Sequence, residues 1–160
     1  MSQTAYSVEA AQAFPGLLAD PNANAFIRSL ANEDAALAVF GLGYALGTDG
    51  ATQFAAFSGA GTFAGVLVHR HNTQARELSG TVGIEQDEMG DLLTSGRVWV
   101  LTDEAVTAGG AAFVRHTTSD IGLFRSDVDG GDAQAVNGMY LTSTSGSGLV
   151  LLQVNEPVVV

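Results

Sequence analysis

The chain has no cysteine, no lysine, only three prolines, and no apolar run long enough to cross a bilayer. Each absence excludes something. Without cysteine there is no disulfide framework, no thiolate metal site and no thiol nucleophile. Without lysine, all side-chain positive charge apart from histidine rests on six arginines, which face 17 acidic residues for a net charge of -11. A cradle for nucleic acid needs a basic patch, and scattered arginines among carboxylates do not supply one. Long-range repulsion also disfavours contact with DNA, RNA or an anionic membrane surface, so neither nucleic acid nor membrane is expected as a partner. A membrane helix needs roughly 18 or more uninterrupted apolar residues, and no stretch reaches that. The opening "MSQTAYSVEAAQAFPG" lacks a basic region followed by an apolar one, so no secretory leader is expected. The expectation is a water-soluble chain made in a cytoplasm.

What is present is apolar and rich in glycine. Apolar residues make up 46% of the 160, enough for one domain with a proper core and few for two. The 20 glycines follow no short repeat and stand between short apolar runs, as turns of an all-β protein would. The segments 37–47 and 51–59 flank "TDG", a hairpin signal. Further strands are read at 63–72, 90–102, 111–118 and 121–128, and a closing hairpin at 137–156 around "GSG". "DPNANAFIRSLANEDAALAV" reads equally as a helix capped by Asp20 and as a bulged strand. Roughly eight to ten strands at intervals of about ten residues fit a sandwich, a jelly roll or a small barrel. Residues 1–13 have few anchors and read as an N-terminal arm; 14–156 form the domain. Pro157 would break any ladder, leaving 157–160 as an apolar C-terminal tail.

Within "SGRVWVLT" the period is two. Val98 and Val100 point one way, as ordinary core would, while Arg97, Trp99 and Leu101 point the other. What the second face touches is left open by the pattern: a second layer of the same domain, or a partner.

Four motifs bear on chemistry. In "HRH", His69 and His71 share one face of a strand, as paired imidazoles do in cupin-type metal barrels, and His116 is a possible third ligand. Glu77 lies too far on for the cupin spacing, so two solvent-facing histidines near a strand end are the plainer explanation. "DVDGGD" offers Asp127, Asp129 and Asp132 but departs from the calcium-loop order, and reads as a solvated turn. "EQDEMGD" is an acidic loop, and no Gly-x-Ser-x-Gly elbow occurs. "GLGYALG" lies in a strand, away from any strand-to-helix turn that could cradle phosphate. No enzyme, metal or cofactor is expected from these residues.

The order of segments carries more than any one of them. "AFPGLLAD" near the start, "GVLVHRHNT" in the middle, "GRVWV" ahead of "AGGAAFV", and the closing "TSTSGSGLVLL" hairpin together resemble the structural cement proteins that decorate tailed-bacteriophage capsids. The resemblance runs from about Phe14 to Val154. It implies a single-domain β-sandwich of jelly-roll type with extended tails. It also implies a non-catalytic role on the outer capsid surface of the virion, binding neighbouring major capsid protein subunits. The protein would act there as a homo-oligomer, a homotrimer in preference to a homodimer. Trp and Arg are enriched at binding hot spots, and free tails can add strands to a neighbour's sheet. The candidate interface residues are therefore Phe14, Pro15, Arg97, Trp99, Val158, Val159 and Val160. Burial of Trp99 in the domain's own core is the competing reading. From other classes, the alternatives are a cupin-like metal enzyme using His69, His71 and His116, and a low-copy tail or fibre module.

Overall fold

A computed structural model describes residues 13–19, 25–69, 76–78, 81–117 and 119–155. The described elements are nearly all strand, as expected: β1 (Phe26–Asn32), β2 (Ala38–Val39), β3 (Gly43–Leu46), β4 (Gln53–Ala55), β5 (Phe63–Val68), β6 (Arg76–Leu78), β7 (Thr81–Ile84), β8 (Met89–Thr102), β9 (Ala111–Arg115), β10 (Phe124–Arg125), β11 (Ala133–Tyr140) and β12 (Gly148–Asn155). Between β10 and β11 a single 3-10 turn spans Asp129–Gly131.

Nine strands form one sheet, and its order is β1-β4-β3-β5-β8-β10-β9-β11-β12. Two further pairings, β1 with β8 and β8 with β12, close that sheet on itself twice. One ring contains β1, β4, β3, β5 and β8; the other contains β8, β10, β9, β11 and β12. Closure pairs strand edges that would otherwise be open to aggregation. The single all-β domain expected from the sequence holds, and a sheet that folds over to face itself is compatible with a sandwich. A smaller sheet, β2-β7-β6, contributes Ala38 and Ile84 to the cluster that the first ring's Leu30, Phe54 and Leu67 belong to.

The 14-residue strand β8 belongs to both rings. Its first half lies between β1 and β5, with Leu92 opposite both Arg28 and Leu67. Its second half pairs with β12 from Ser95 to Thr102. Between the halves is a bulge: Phe26 faces Ser95 but Ile27 faces Leu93, so Thr94 is an extra residue on β8. An extra residue reverses which side chains face inward. Leu93 before the bulge and Val98 and Val100 after it accordingly join one cluster, with Phe124, Tyr140, Val150 and Leu152. Leu92 joins the other cluster, with Leu30, Tyr44, Phe54 and Leu67.

One open alternative is settled as strand, and two local readings are corrected. The helix considered for 20–39 is absent: 26–32 is strand β1, whose alternate backbone groups pair with β8 and β4, and 20–24 lie outside the described residues. The run 37–47 is no single strand, because the chain turns at Phe40–Gly41 with Gly41 at φ +79°, where L side chains are strained. The run 121–128 keeps only Phe124–Arg125 as strand, and its remainder turns around ion pairs.

Candidate functional site

The stretch 14–19 supplies a strand-like segment that pairs with β8 alongside Arg97–Trp99. Trp99 N–H donates to Leu17 C=O (3.0 Å), Gly16 N–H to Trp99 C=O (2.8 Å) and Ala19 N–H to Arg97 C=O (3.1 Å). Leu18 and Val98 form the bridge between these bonds. Two sequence-distant groups of candidate residues, Phe14–Pro15 and Arg97–Trp99, are thereby brought to one neighbourhood. The "AFPG" stretch is locked there by close approach. A Cβ on Gly16 would meet Phe40 Cβ at 2.9 Å, one on Gly41 would meet Pro15 Cβ at 2.6 Å, and Gly16 itself has φ +80°. Its carbonyl also accepts His69 N–H (2.9 Å).

The face opened in the sequence by Arg97, Trp99 and Leu101 points away from the larger core, into which Val98 and Val100 are fully buried. Residues directly opposite one another in a sheet share a face, and the register therefore extends that surface across four strands. Leu17, Trp99, Leu151 and Leu141 form one row, all half-buried. Ala19, Arg97, Gln153 and Met139 form the next, with Ala19, Arg97 and Met139 exposed. Leu101 opposite Leu149 continues the apolar surface. Arg97 donates through Nε to Gln153 Oε1 (3.0 Å), and Gln153 Nε2 donates in turn to Asn155 Oδ1 (3.0 Å). Among the described residues, no carboxylate pairs with Arg97.

Two other described arginines, Arg115 and Arg125, are ion-paired. Arg125 is buried and contacts Asp103 (3.0 Å), Glu104 (3.2 Å), Asp127 (3.1 Å) and Asp129 (3.3 Å). Arg115 bridges Asp103 (2.7 Å) and Asp129 (2.8 Å). Burial disfavours the Arg125 cation, yet the Asp127 hydrogen bond and the charges of Asp103, Glu104 and Asp129 more than offset it, raising its pKa. Asp127 is held below the usual carboxylate range by the Asp129 N–H and the Arg125 guanidinium. Tyr140 Oη donates to Arg125 C=O (2.8 Å), tying this knot to the core. The "DVDGGD" stretch is a largely exposed turn, as read, and ion pairs also tie it down; within it Asp132 accepts the Thr117 hydroxyl (2.5 Å).

Other carboxylates cap turns. Glu33 accepts from the Thr48 N–H and hydroxyl, and these bonds lower its pKa. Asp34 accepts Ala56 N–H (2.6 Å). Asp49 takes the Thr52 hydroxyl and the Ala51 N–H, which lower its pKa and fix the turn read from "TDG".

The histidines are apart in role. His69 is half-buried with its ring edge-on to Phe14 (5.7 Å) and Phe40 (4.9 Å). His116 is buried, and its backbone N–H is held by Asp132 C=O (2.9 Å). His71 lies outside the described residues, as do Val158, Val159 and Val160. Sequence reasoning missed Leu17, Leu141, Leu149, Leu151, Met139 and Gln153. Alternation within β11 and β12 marks each side chain's face, but only the register says which faces adjoin Trp99.

Comparisons with known proteins bear on the chain as a whole. One solved chain, from the structure titled "The capsid of Myoviridae Phage XM1", superposes with a TM-score of 0.71 at 16% sequence identity. The alignment covers 96% of this chain and 97% of that one, a likeness of fold. A search of curated proteins finds no match. Residues 1–155 match the family described as structural cement protein (E217 gp24/Pam3 gp6). The chain belongs to the phage structural cement protein family.

Proposed function

We propose that this protein binds the outer surface of the expanded phage head and bridges neighbouring major capsid protein subunits, stabilising the shell without catalysis. The observation that carries the reading is the family match across residues 1–155, nearly the whole chain. Physics supports it. A packaged genome presses outward, and a clamp across subunit joints resists that load through many small contacts. Acidity keeps such a clamp off the DNA being packaged. The face of Arg97, Trp99 and Leu151, with Phe14 and Pro15 near it, is the surface we assign to the shell. The tail residues Val158, Val159 and Val160 add a second contact. A symmetric oligomer, a trimer in preference to a dimer, matches a symmetric lattice most simply.

Quantitative mass spectrometry of purified virions tests the reading. It expects one copy per major capsid subunit, or a simple fraction set by the lattice. A handful of copies per particle would assign the protein to the tail, and its absence from particles would overturn the structural role.

A further inference from the structure

We propose that Arg97 is the specificity-determining contact of this face, and that it recognises a carboxylate carried on an apolar segment of the capsid subunit. The inference rests on the capsid reading above and adds the chemistry of the partner.

Three observations lead there. First, the row Leu17, Trp99, Leu151 and Leu141 is a half-buried apolar strip four strands wide, and Arg97 is the charged side chain in the row beside it. A partner that covers the strip also takes water away from the guanidinium. Desolvating a cation without a counter-charge is costly, so the segment covering it must bring an acceptor.

Second, the guanidinium is already oriented. Asn155 holds Gln153, and Gln153 holds Arg97 Nε. One edge of the planar fork is engaged, and among the described residues the terminal Nη groups have no acceptor. Two parallel N–H donors at fixed spacing fit a carboxylate bidentately. Because the side chain is held before binding, less rotamer freedom is lost on association.

Third, the sequence spends its few cations sparingly. Arg115 and Arg125 are neutralised by Asp103, Glu104, Asp127 and Asp129. Arg28 donates to the carbonyls of Gly50 (2.7 Å) and Ala51 (3.2 Å). Although the chain has 17 acidic residues, the partner of Arg97 among the described residues is a neutral amide. The net charge does not forbid an acidic partner segment. Beyond about 8 Å repulsion is screened at physiological salt, while the apolar strip and the fork act at contact.

The test titrates the full-length protein onto expanded shells that lack it, at low and high salt. The proteins are wild type, Arg97→Ala, Arg97→Glu, Arg97→Lys and Trp99→Ala, with a thermal melt of each. We expect Arg97→Ala to bind about tenfold more weakly and Arg97→Glu weaker still. Arg97→Lys falls between, since the ammonium keeps the charge and loses the fork. The salt dependence of Arg97→Ala should be shallower than that of wild type, with the melting temperature of all three Arg97 variants unchanged. Wild-type affinity in the Arg97 variants, alongside weakened Trp99→Ala, would place the shell on this face and overturn the carboxylate. Altered oligomeric state in Arg97→Glu, with shell binding intact, would overturn it in favour of a second copy. Failure of wild type to bind shells would overturn the capsid reading itself, and this inference with it.

Discussion

The two halves of β8 are made of one continuous strand and do different work. In the first half, Leu92 and Leu93 are adjacent, point to opposite faces, and are both fully buried. At that step the strand is a wall between two cores, while Met89 and Asp91, on the face of Leu93, are exposed and half-buried. In the second half, Val98 and Val100 are fully buried, while Arg97 is exposed and Trp99 and Leu101 are half-buried. That half has an inside and an outside. A strand buried on both faces stabilises the fold; a strand with one open face also offers surface to a partner. The bulge at Thr94 separates the two regimes, and Thr94 Oγ1 donates to Phe26 C=O (3.1 Å) there.

Substitutions can break or sharpen that contrast. Leu93→Ala in the first half should cost about 2–5 kcal/mol, because a fully buried side chain leaves a cavity between packed strands. Urea denaturation would show it as a lower midpoint with unchanged slope. Arg125→Ala, at the far end of the second ring, should cost about 2–3 kcal/mol. It leaves the half-buried Asp103 with fewer counter-charges, while its more exposed partners regain water. Trp99→Ala removes the largest side chain of the strand and should nevertheless cost only about 1 kcal/mol, since that side chain faces outward. Unfolding of Trp99→Ala would erase the distinction between the halves and make Trp99 a core residue.

The smallest effect is electrostatic. The folded pKa of Asp127 lies below its unfolded value of about 3.9. Its contribution is therefore present above that value and is lost as pH falls through the folded pKa. Acid titration followed by thermal melting should show stability declining below about pH 4. In Asp127→Asn that part of the decline should be absent.

Much of the fold was legible in the sequence. "RVWVL" alternates, so the period alone separates its two faces. "DLL" breaks alternation, as a strand buried on both sides does. Turn chemistry was legible at "TDG" and "GSG", because the residues that fix such turns are local. What escaped was set by distant partners. The helix-or-strand ambiguity at 26–32 was resolved by pairing with β8 and β4, from residues more than 20 positions away. Asp129 of "DVDGGD" could not be assigned to Arg115, because a turn and strand β10 bring them together, whereas Arg125 lies only two and four residues before Asp127 and Asp129 and that pairing was within local reach.

By itself the sequence determined the class: an acidic, cysteine-free, all-β chain, with the face of each strand written into its period. Those properties follow from composition and from the two-residue repeat of extended backbone. The tertiary structure decided which faces adjoin. Leu17, Trp99, Leu151 and Leu141 come from three separate regions of the chain and become one row through hydrogen-bond register. Register is a long-range property, set by how the sheet closes, and a one-residue slip would turn that row inward.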